Sequence, residues 1–494
     1  MLDERAATGP FVLDGTLTID DVADVAIGRR PIALSERARE RIAAARAVTE
    51  ELLAGDEHVY GLTTGVGALK RVRVGIDEQL DFNRLLLRAH RTGTGSNAPE
   101  AAVRAAMVAQ LGGFAHGFSG AGLALADHLV SALNAGFTPR VRTIGSLGQS
   151  DLGPLADLAC GLIGEGAYGD ELAALGLQPW RPLAKEALAF VNSNAFTLGW
   201  TALALHRVAG ALDRFDESAA LTFEGMLGNV QALDPAIAEA RPLPGSKDTI
   251  ARMQALLAGG ALMTGELHRQ LQDPLTMRVV PQTHGAARTA LAHTREIVEI
   301  ELVSSHDNPA MTPDGRALSN GNFDSVPYGI ALDYLRLALA HVLTASCERA
   351  QKLVYSAFSG LPTGLREDDA ASEDGLAITV YGASAAAAEA RLLAHPTTLE
   401  LSTSSTAEGI EDRVIPTTLA ARRLDEMIGL AHYIAAVELV CAAQAVDLRT
   451  RAADLGRGTR SVYSLVREHV PFCAAGDAPT GDLGELERAL AARA

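Results

Sequence analysis

Apolar residues recur at helical spacing over segments far longer than an ordinary globular helix, and this constrains the fold of the 494-residue chain more than any other feature. Between about Tyr328 and Ala357, the residues Leu332, Leu335, Leu339 and Val342 line one face. Similar patterns run through 185–219, 285–303, 382–394 and 417–453. Stripes of that length are most simply buried against one another in a bundle, and alanine-rich faces let the helices approach closely. The composition agrees: 48% of residues are hydrophobic but only 4% aromatic, which favours helices over strands built from aromatic and β-branched residues. The expected fold is all-α, a long central helix bundle preceded by a mixed, loop-rich portion. That portion, residues 1–140, holds short β-like runs such as Gly9–Leu13 and two or three helical stretches. Residues 141–494 form the central and C-terminal bundle, and the whole reads as one continuous structural unit. Polar loops at 91–99, 143–154, 305–327, 359–375 and 402–416 are where a site on such a scaffold collects its side chains.

A net charge of −17 with dispersed basic residues argues against nucleic-acid partners. Cys160, Cys347, Cys441 and Cys473 are far apart and contain no CxxC pair, so reduced, buried thiols are expected rather than disulfides or zinc. No His pair has ligand spacing, and no metal is expected. The acidic N-terminus lacks an apolar core, and no later stretch reads as long and uncharged enough to cross a bilayer, so a soluble cytoplasmic protein is expected. The Gly61–Gly67 run followed by Lys70 does not have phosphate-loop spacing, and no GxSxG elbow is present.

Seven polar segments interrupt the apolar sequence in a definite order. They are Val59–Gly67 (VYGLTTGVG), Leu85–Gly95 (LLLRAHRTGTG), Lys185–Asn192 (KEALAFVN), Leu271–Gln282 (LQDPLTMRVVPQ), Asp307–Pro309, Ser319–Phe323 (SNGNF) and Glu411–Asp412. In this order they resemble the YGVNTGFG, NLLxSHAAGVG, KEGLALxN, LQDxYSxRCxPQ, TDNP, GGNF and QED elements of the aromatic amino acid lyase superfamily, the histidine and phenylalanine ammonia-lyases. The resemblance implies an all-α bundle and a homotetramer whose active sites draw on more than one subunit.

The segment Gly145–Ala156 (GSLGQSDLGPLA) departs from that pattern. The family's GSVGASGDLAPL cyclises at Ala-Ser-Gly to give an electrophilic prosthetic group. Here Gln149 replaces the Ala, Ser150 is kept, and Asp151 follows directly with the Gly missing. Glycine permits the tight approach that ring closure needs, and a Cβ-bearing, charged Asp opposes it. The expectation is that no such cofactor forms. Leu275, Val303 and Thr63 also stand where the family has Tyr, Asn and Asn.

By resemblance, Tyr60 is the general base, and Arg278 presents paired donors to a substrate carboxylate, each bond worth about 1.5–3 kcal/mol. Ionising a tyrosine at neutral pH costs about 4 kcal/mol, so nearby cations or donors must lower its pKa. His90 and Glu411 match positions that contact the substrate ring and suit a polar ring such as imidazole. Asn192 and Asn322 are expected near the carboxylate or ammonium, and the face of Phe323 or Tyr381 is available to a soft cation. The acid-rich run at 366–374 reads as a solvated loop, with attraction of a cationic substrate as a second role.

Without the electrophile the substrate must bring its own leaving group, and a trimethylammonium group departs as neutral trimethylamine. The sequence thus resembles the cofactor-free branch typified by ergothionase, which implies elimination from a histidine-derived betaine such as ergothioneine or hercynine to a conjugated acrylate. Two alternatives remain: a conventional histidine-type ammonia-lyase or aminomutase, and a non-catalytic binding protein on the same fold.

Overall fold

A computed structural model describes residues 9–367, 374–399, 405–474 and 483–493. Most of the acid-rich run at 366–374 lies outside them. The chain divides into two compact units, one formed by residues 1–206, 295–331 and 397–422 and the other by 207–294, 332–396 and 423–494. The helices Ala195–Met226, Val280–Leu302, Val326–Val354 and Thr417–Leu448 supply residues to both.

In the first unit, the parallel strands Phe11–Leu13 and Ile32–Leu34 flank the helix Ile19–Ala26. Thr18 and Asp21 form a reciprocal cap at the start of that helix. The helices Glu36–Ala54, Gln79–Ala89, Glu100–His116 and Leu123–Ala135 follow. The described residues before Arg140 therefore hold five α-helices instead of the expected two or three. Two further strand pairs, Thr94–Asn97 with Arg142–Ile144 and Ala310–Met311 with Ala317–Leu318, are antiparallel clips at the loops. Close approach of helices has a specific cause at Gly199, where a Cβ would stand 2.4 Å from the carbonyl carbon of Ala105.

In the second unit the stripe foreseen in the sequence is buried: Leu332, Leu335, Leu339 and Val342 are at most 3% exposed. The core also holds ions. Glu438 is fully buried and accepts hydrogen bonds from Arg349 Nε (2.6 Å) and Nη2 (2.9 Å), Ser346 Oγ (2.5 Å), Ser218 Oγ (2.8 Å) and Thr222 Oγ1 (2.8 Å). Burying both charges is tolerable because this geometry satisfies the carboxylate from five directions.

Two expectations need correction. The segments 186–226, 326–354 and 417–448 are long and apolar enough to cross a membrane by length and composition, contrary to the sequence reading. Their apolar windows are mostly buried within the protein, 94% for the first, which is where a helix apolar on several faces finds its partners. Cys160, Cys347 and Cys441 are buried thiols as expected, whereas Cys473 is half-buried.

Candidate active site

In the first unit, four polar loops and the start of the Ala195–Met226 helix converge. Tyr60 sits in a turn locked by Thr63, whose hydroxyl donates to the Glu57 carbonyl (2.7 Å) and accepts from the Val59 amide (2.8 Å). Gly61 has a φ of +67°, and a Cβ there would lie 2.1 Å from Leu188 Cδ2, so only glycine lets the turn rest on the helix Glu186–Val191. The Tyr60 hydroxyl accepts a hydrogen bond from the Gly67 amide at 2.8 Å. Burial pushes the phenol above its ordinary value; the Gly67 amide opposes this and the Glu411 carboxylate adds to it. Of the cations or donors expected to lower it, the Gly67 amide is a donor that does so, while within this unit the charge acting on Tyr60 is acidic.

Gln79 Nε2 donates to the Leu62 carbonyl (2.7 Å), tying the tyrosine turn to the helix that ends before His90. His90 Nδ1 lies 2.8 Å from the Leu86 carbonyl. A carbonyl can only accept, so Nδ1 carries a proton.

The loop at 145–151 is held from three sides. Ser325 Oγ donates to the Gly148 carbonyl (2.7 Å), the Ile415 amide donates to the Leu147 carbonyl (2.9 Å), and Gln149 pairs with Asp324 in a single bridge. Ser150 adopts a left-handed backbone, φ +73°, and its hydroxyl donates to Asn192 Oδ1 at 2.6 Å. The Asp151 amide donates to the Ser193 carbonyl at 2.7 Å. Its fully buried carboxylate accepts from the Thr197 amide and hydroxyl, each at 2.7 Å, and so supplies one of the partners that the first turn of the Ala195–Met226 helix lacks. Burial raises the pKa of Asp151 although the Thr197 amide and hydroxyl oppose it.

Behind Ser150, Asn192 Nδ2 donates to Asp307 Oδ1 and the Asn308 carbonyl, both at 3.0 Å. Asp307 is ion-paired with Lys185, and both are buried. Burial pushes Lys185 down and Asp307 up, each moved part of the way back by its partner's charge. Asn192 is therefore committed to the loop and the ion pair. Asn322 is exposed, with its amide donating to Asn320 Oδ1 (2.9 Å). Phe323 is half-buried, and its carbonyl accepts from Asn194 Nδ2 (3.0 Å). Two buried polar atoms beside these groups, Gln149 Nε2 and Asn194 Oδ1, have no partner among the described residues, an arrangement a polar ligand would satisfy.

Arg278 and Tyr381 belong to the second unit. Arg278 Nε donates to the Asp273 carbonyl (2.8 Å), and among the described residues no carboxylate reaches its guanidinium to form an ion pair. Tyr381 and Leu275 are 60% and 63% exposed. Among the described residues no three His, Cys, Asp or Glu side chains group as a metal centre would.

Sequence reasoning did not single out Lys185, Asp307, Asn194, Thr197 or Thr418. The signal for the first two was present, since Lys185 and Asp307 open two of the seven polar segments, but their pairing spans 122 positions. Thr197 and Thr418, whose hydroxyls are 2.6 Å apart, gave no signal.

The sequence profile of the Aromatic amino acid lyase family matches residues 17–468. A histidine ammonia-lyase of Treponema denticola is 36% identical over 93% of this chain and 92% of that protein. Another from Deinococcus radiodurans is 34% identical over 93% and 90%. Among solved structures, the ergothioneine-degrading ergothionase of Treponema denticola, bound to desmethyl-ergothioneine sulfonic acid, superposes with a TM-score of 0.93 at 28% identity, covering 98% of this chain and 99% of that one. Histidine ammonia-lyase from Trypanosoma cruzi gives 0.89 at 28% identity, covering 98% and 93%. With carbon–nitrogen lyases on every side and a profile match over nearly the whole length, this chain belongs to the aromatic amino acid lyase family.

Proposed function

We propose that this lyase works without the family's cyclised electrophile and eliminates trimethylamine from a histidine-derived betaine. The observation that carries the reading is the engagement of the 149–151 segment. Ring closure requires the nitrogen of the third residue to attack the carbonyl of the first. Here the segment is one residue short, the nitrogen following Ser150 belongs to Asp151, and its hydrogen is donated to the Ser193 carbonyl. Asp151 in turn is fastened by its carboxylate to Thr197. These residues do not fit the prosthetic group.

In the proposed reaction the Tyr60 phenolate removes the β-proton, the C–H electron pair becomes the Cα=Cβ double bond, and the C–N bond breaks with its pair leaving on neutral trimethylamine. The substrate's fixed cation helps here: it draws down the pKa of Tyr60 in the complex, against the burial and the Glu411 charge that raise it in the free protein. Arg278, unpaired by any described carboxylate, anchors the substrate carboxylate. His90 Nε2 and Glu411 accept hydrogen bonds from the ring, and Phe323 or Tyr381 offers an aromatic face to the trimethylammonium. From the family resemblance we place the complete site in a homotetramer of a cytoplasmic enzyme, with residues drawn from more than one subunit. The ergothionase likeness supports the betaine class.

The names of the curated relatives favour a second reading, a histidine ammonia-lyase. Ultraviolet absorbance of reactions with histidine, hercynine and ergothioneine separates the two, since each elimination creates a conjugated acrylate. Growth of absorbance only with a betaine is expected. Turnover of histidine, with the peptide around Ser150 lighter by the two waters lost in ring closure and serine dehydration, would overturn the proposal, and silence with all three would point to a binding protein.

A further inference from the structure

The basic residues look dispersed along the sequence, but the fold gathers five of them. Arg84 and Arg88 on the helix Gln79–Ala89, Arg91 in the loop that follows it, and Arg140 and Arg142 at the clip strand line one cavity of about 720 Å³ in the first unit. Only two carboxylates, Asp157 and Glu165, share the lining, so the cavity carries an excess of three formal positive charges in a chain of net charge −17.

A solvated surface would leave such side chains free, but most of these are fixed. Glu165 accepts from Arg88 Nε and also lies 3.6 Å from Arg91 Nη1. Asp157 holds Arg91 Nε at 3.2 Å and accepts the Arg142 amide at 3.0 Å. Arg140 lies over the Tyr168 ring, 5.6 Å from its centre, and reaches Glu171 at 3.3 Å. Arg142 Nη1 donates to the Gly95 carbonyl at 3.2 Å. Neither Arg84 nor Arg142 has a carboxylate at ion-pair distance among the described residues. Each guanidinium has five donors and uses at most two on these partners, so the remaining N–H groups are available for bidentate contacts. Asp157, Glu165 and, outside the lining, Glu171 thus hold Arg88, Arg91 and Arg140 in place and leave Arg84 and Arg142 without a carboxylate partner among the described residues.

We propose that this cavity binds a small ligand carrying two or three oxyanion charges, a phosphate-type or polycarboxylate anion. A monocarboxylate would leave most of the excess charge uncompensated. The size lies in the usual range of small-ligand pockets, but the lining is mostly charged and its one large aliphatic side chain is Ile163, which points to a compact oligoanion with no large apolar part.

Isothermal titration of the full-length protein at low ionic strength, with pyrophosphate, citrate and acetate as probes, tests this. One saturable site per chain for pyrophosphate or citrate is expected, weakening with added salt, and none for acetate; whichever oligoanion binds more tightly identifies the phosphate or the carboxylate source. The double variant Arg84→Ala/Arg142→Ala removes two side chains with no carboxylate partner. It should lose at least about tenfold in affinity with an unchanged melting temperature, while Arg84→Lys/Arg142→Lys should retain part of the binding. No saturable binding of either oligoanion, or equal affinity in the alanine variant, would overturn the proposal. So would a change of oligomeric state in that variant, since the arginines would then face a second copy of the chain.

Discussion

In the proposed reaction Tyr60 concentrates the chemistry in one hydroxyl that is protonated in the free protein at neutral pH, because burial and Glu411 both hold its pKa up. Only the phenolate can accept the β-proton, so kcat/KM with a betaine should climb with pH through the alkaline range. The corresponding rise in kcat should begin at lower pH, because kcat reports the complex, where the substrate's cation stabilises the phenolate. Tyr60→Phe should lower kcat by about 10²–10⁴ and remove this limb; a flat profile in the parent enzyme would disqualify Tyr60 as the base. A second residue, among several buried histidines, contributes to the loss of stability in acid. His432 is buried, and burial, followed by the charges of Arg207 and Arg214, pushes its pKa from 6.5 to about 4. The unfolded chain therefore binds the proton more tightly than the folded one. Stability should fall as pH drops from the unfolded value toward the folded one, by about 3 kcal/mol at most. His432→Leu should flatten that part of the stability curve in denaturant titrations at pH 4–7.

At the scale of elements, the helices were the legible part of the sequence, since a repeat near 3.6 residues survives any detail of packing. The stretch expected at 328–357 is a helix at Val326–Val354, and that expected at 417–453 runs over Thr417–Leu448. What joins the helices was not legible. The carboxylate of Glu438 meets Arg349 across 89 positions and Ser218 across 220, and no local pattern marks a charge destined for the core. Removing one member of this cluster leaves the rest buried without partners, so Glu438→Leu should cost about 3–5 kcal/mol, and Arg349→Met should restore much of it in the double variant. Chemical denaturation of the two variants checks this, and additive losses would show that the pair is not coupled. The cofactor segment was read more fully: the sequence exposed the missing glycine, while the capture of Asp151 by the Ala195–Met226 helix needed coordinates. Asp151→Ala should lower stability by about 0.5–2 kcal/mol through the loss of that cap.

For the molecule as a whole, a family resemblance supplied the tetramer, and the surface bears on it. In the second unit, Leu275, Leu337 and Leu392 are 63%, 45% and 67% exposed. Leu275 and Leu337 line an apolar groove with Val279, Ala340 and Ala345. Such faces are costly to leave in water and mark sites of association. Leu337→Asp should therefore shift the protein to smaller species in light scattering and reduce turnover in proportion. A monodisperse variant of unchanged mass and activity would place the interface elsewhere. The sequence overlooked this face because the same leucine-rich helix satisfies two requirements at once, and periodicity alone does not tell a stripe facing the core from one facing a neighbour.

The amide of Asp151, spent on the Ser193 carbonyl, has a consequence for the life of the protein. A lyase that must cyclise its own backbone is inert when it first folds and becomes active only as the ring matures; thereafter it carries an electrophile open to cyanide, borohydride and cellular thiols. On the proposed cofactor-free reading, a chain that keeps this amide in an ordinary hydrogen bond has no maturation delay and offers such poisons no target. On that reading its activity is available as soon as it folds, at the cost of serving only substrates that arrive with their leaving group already made.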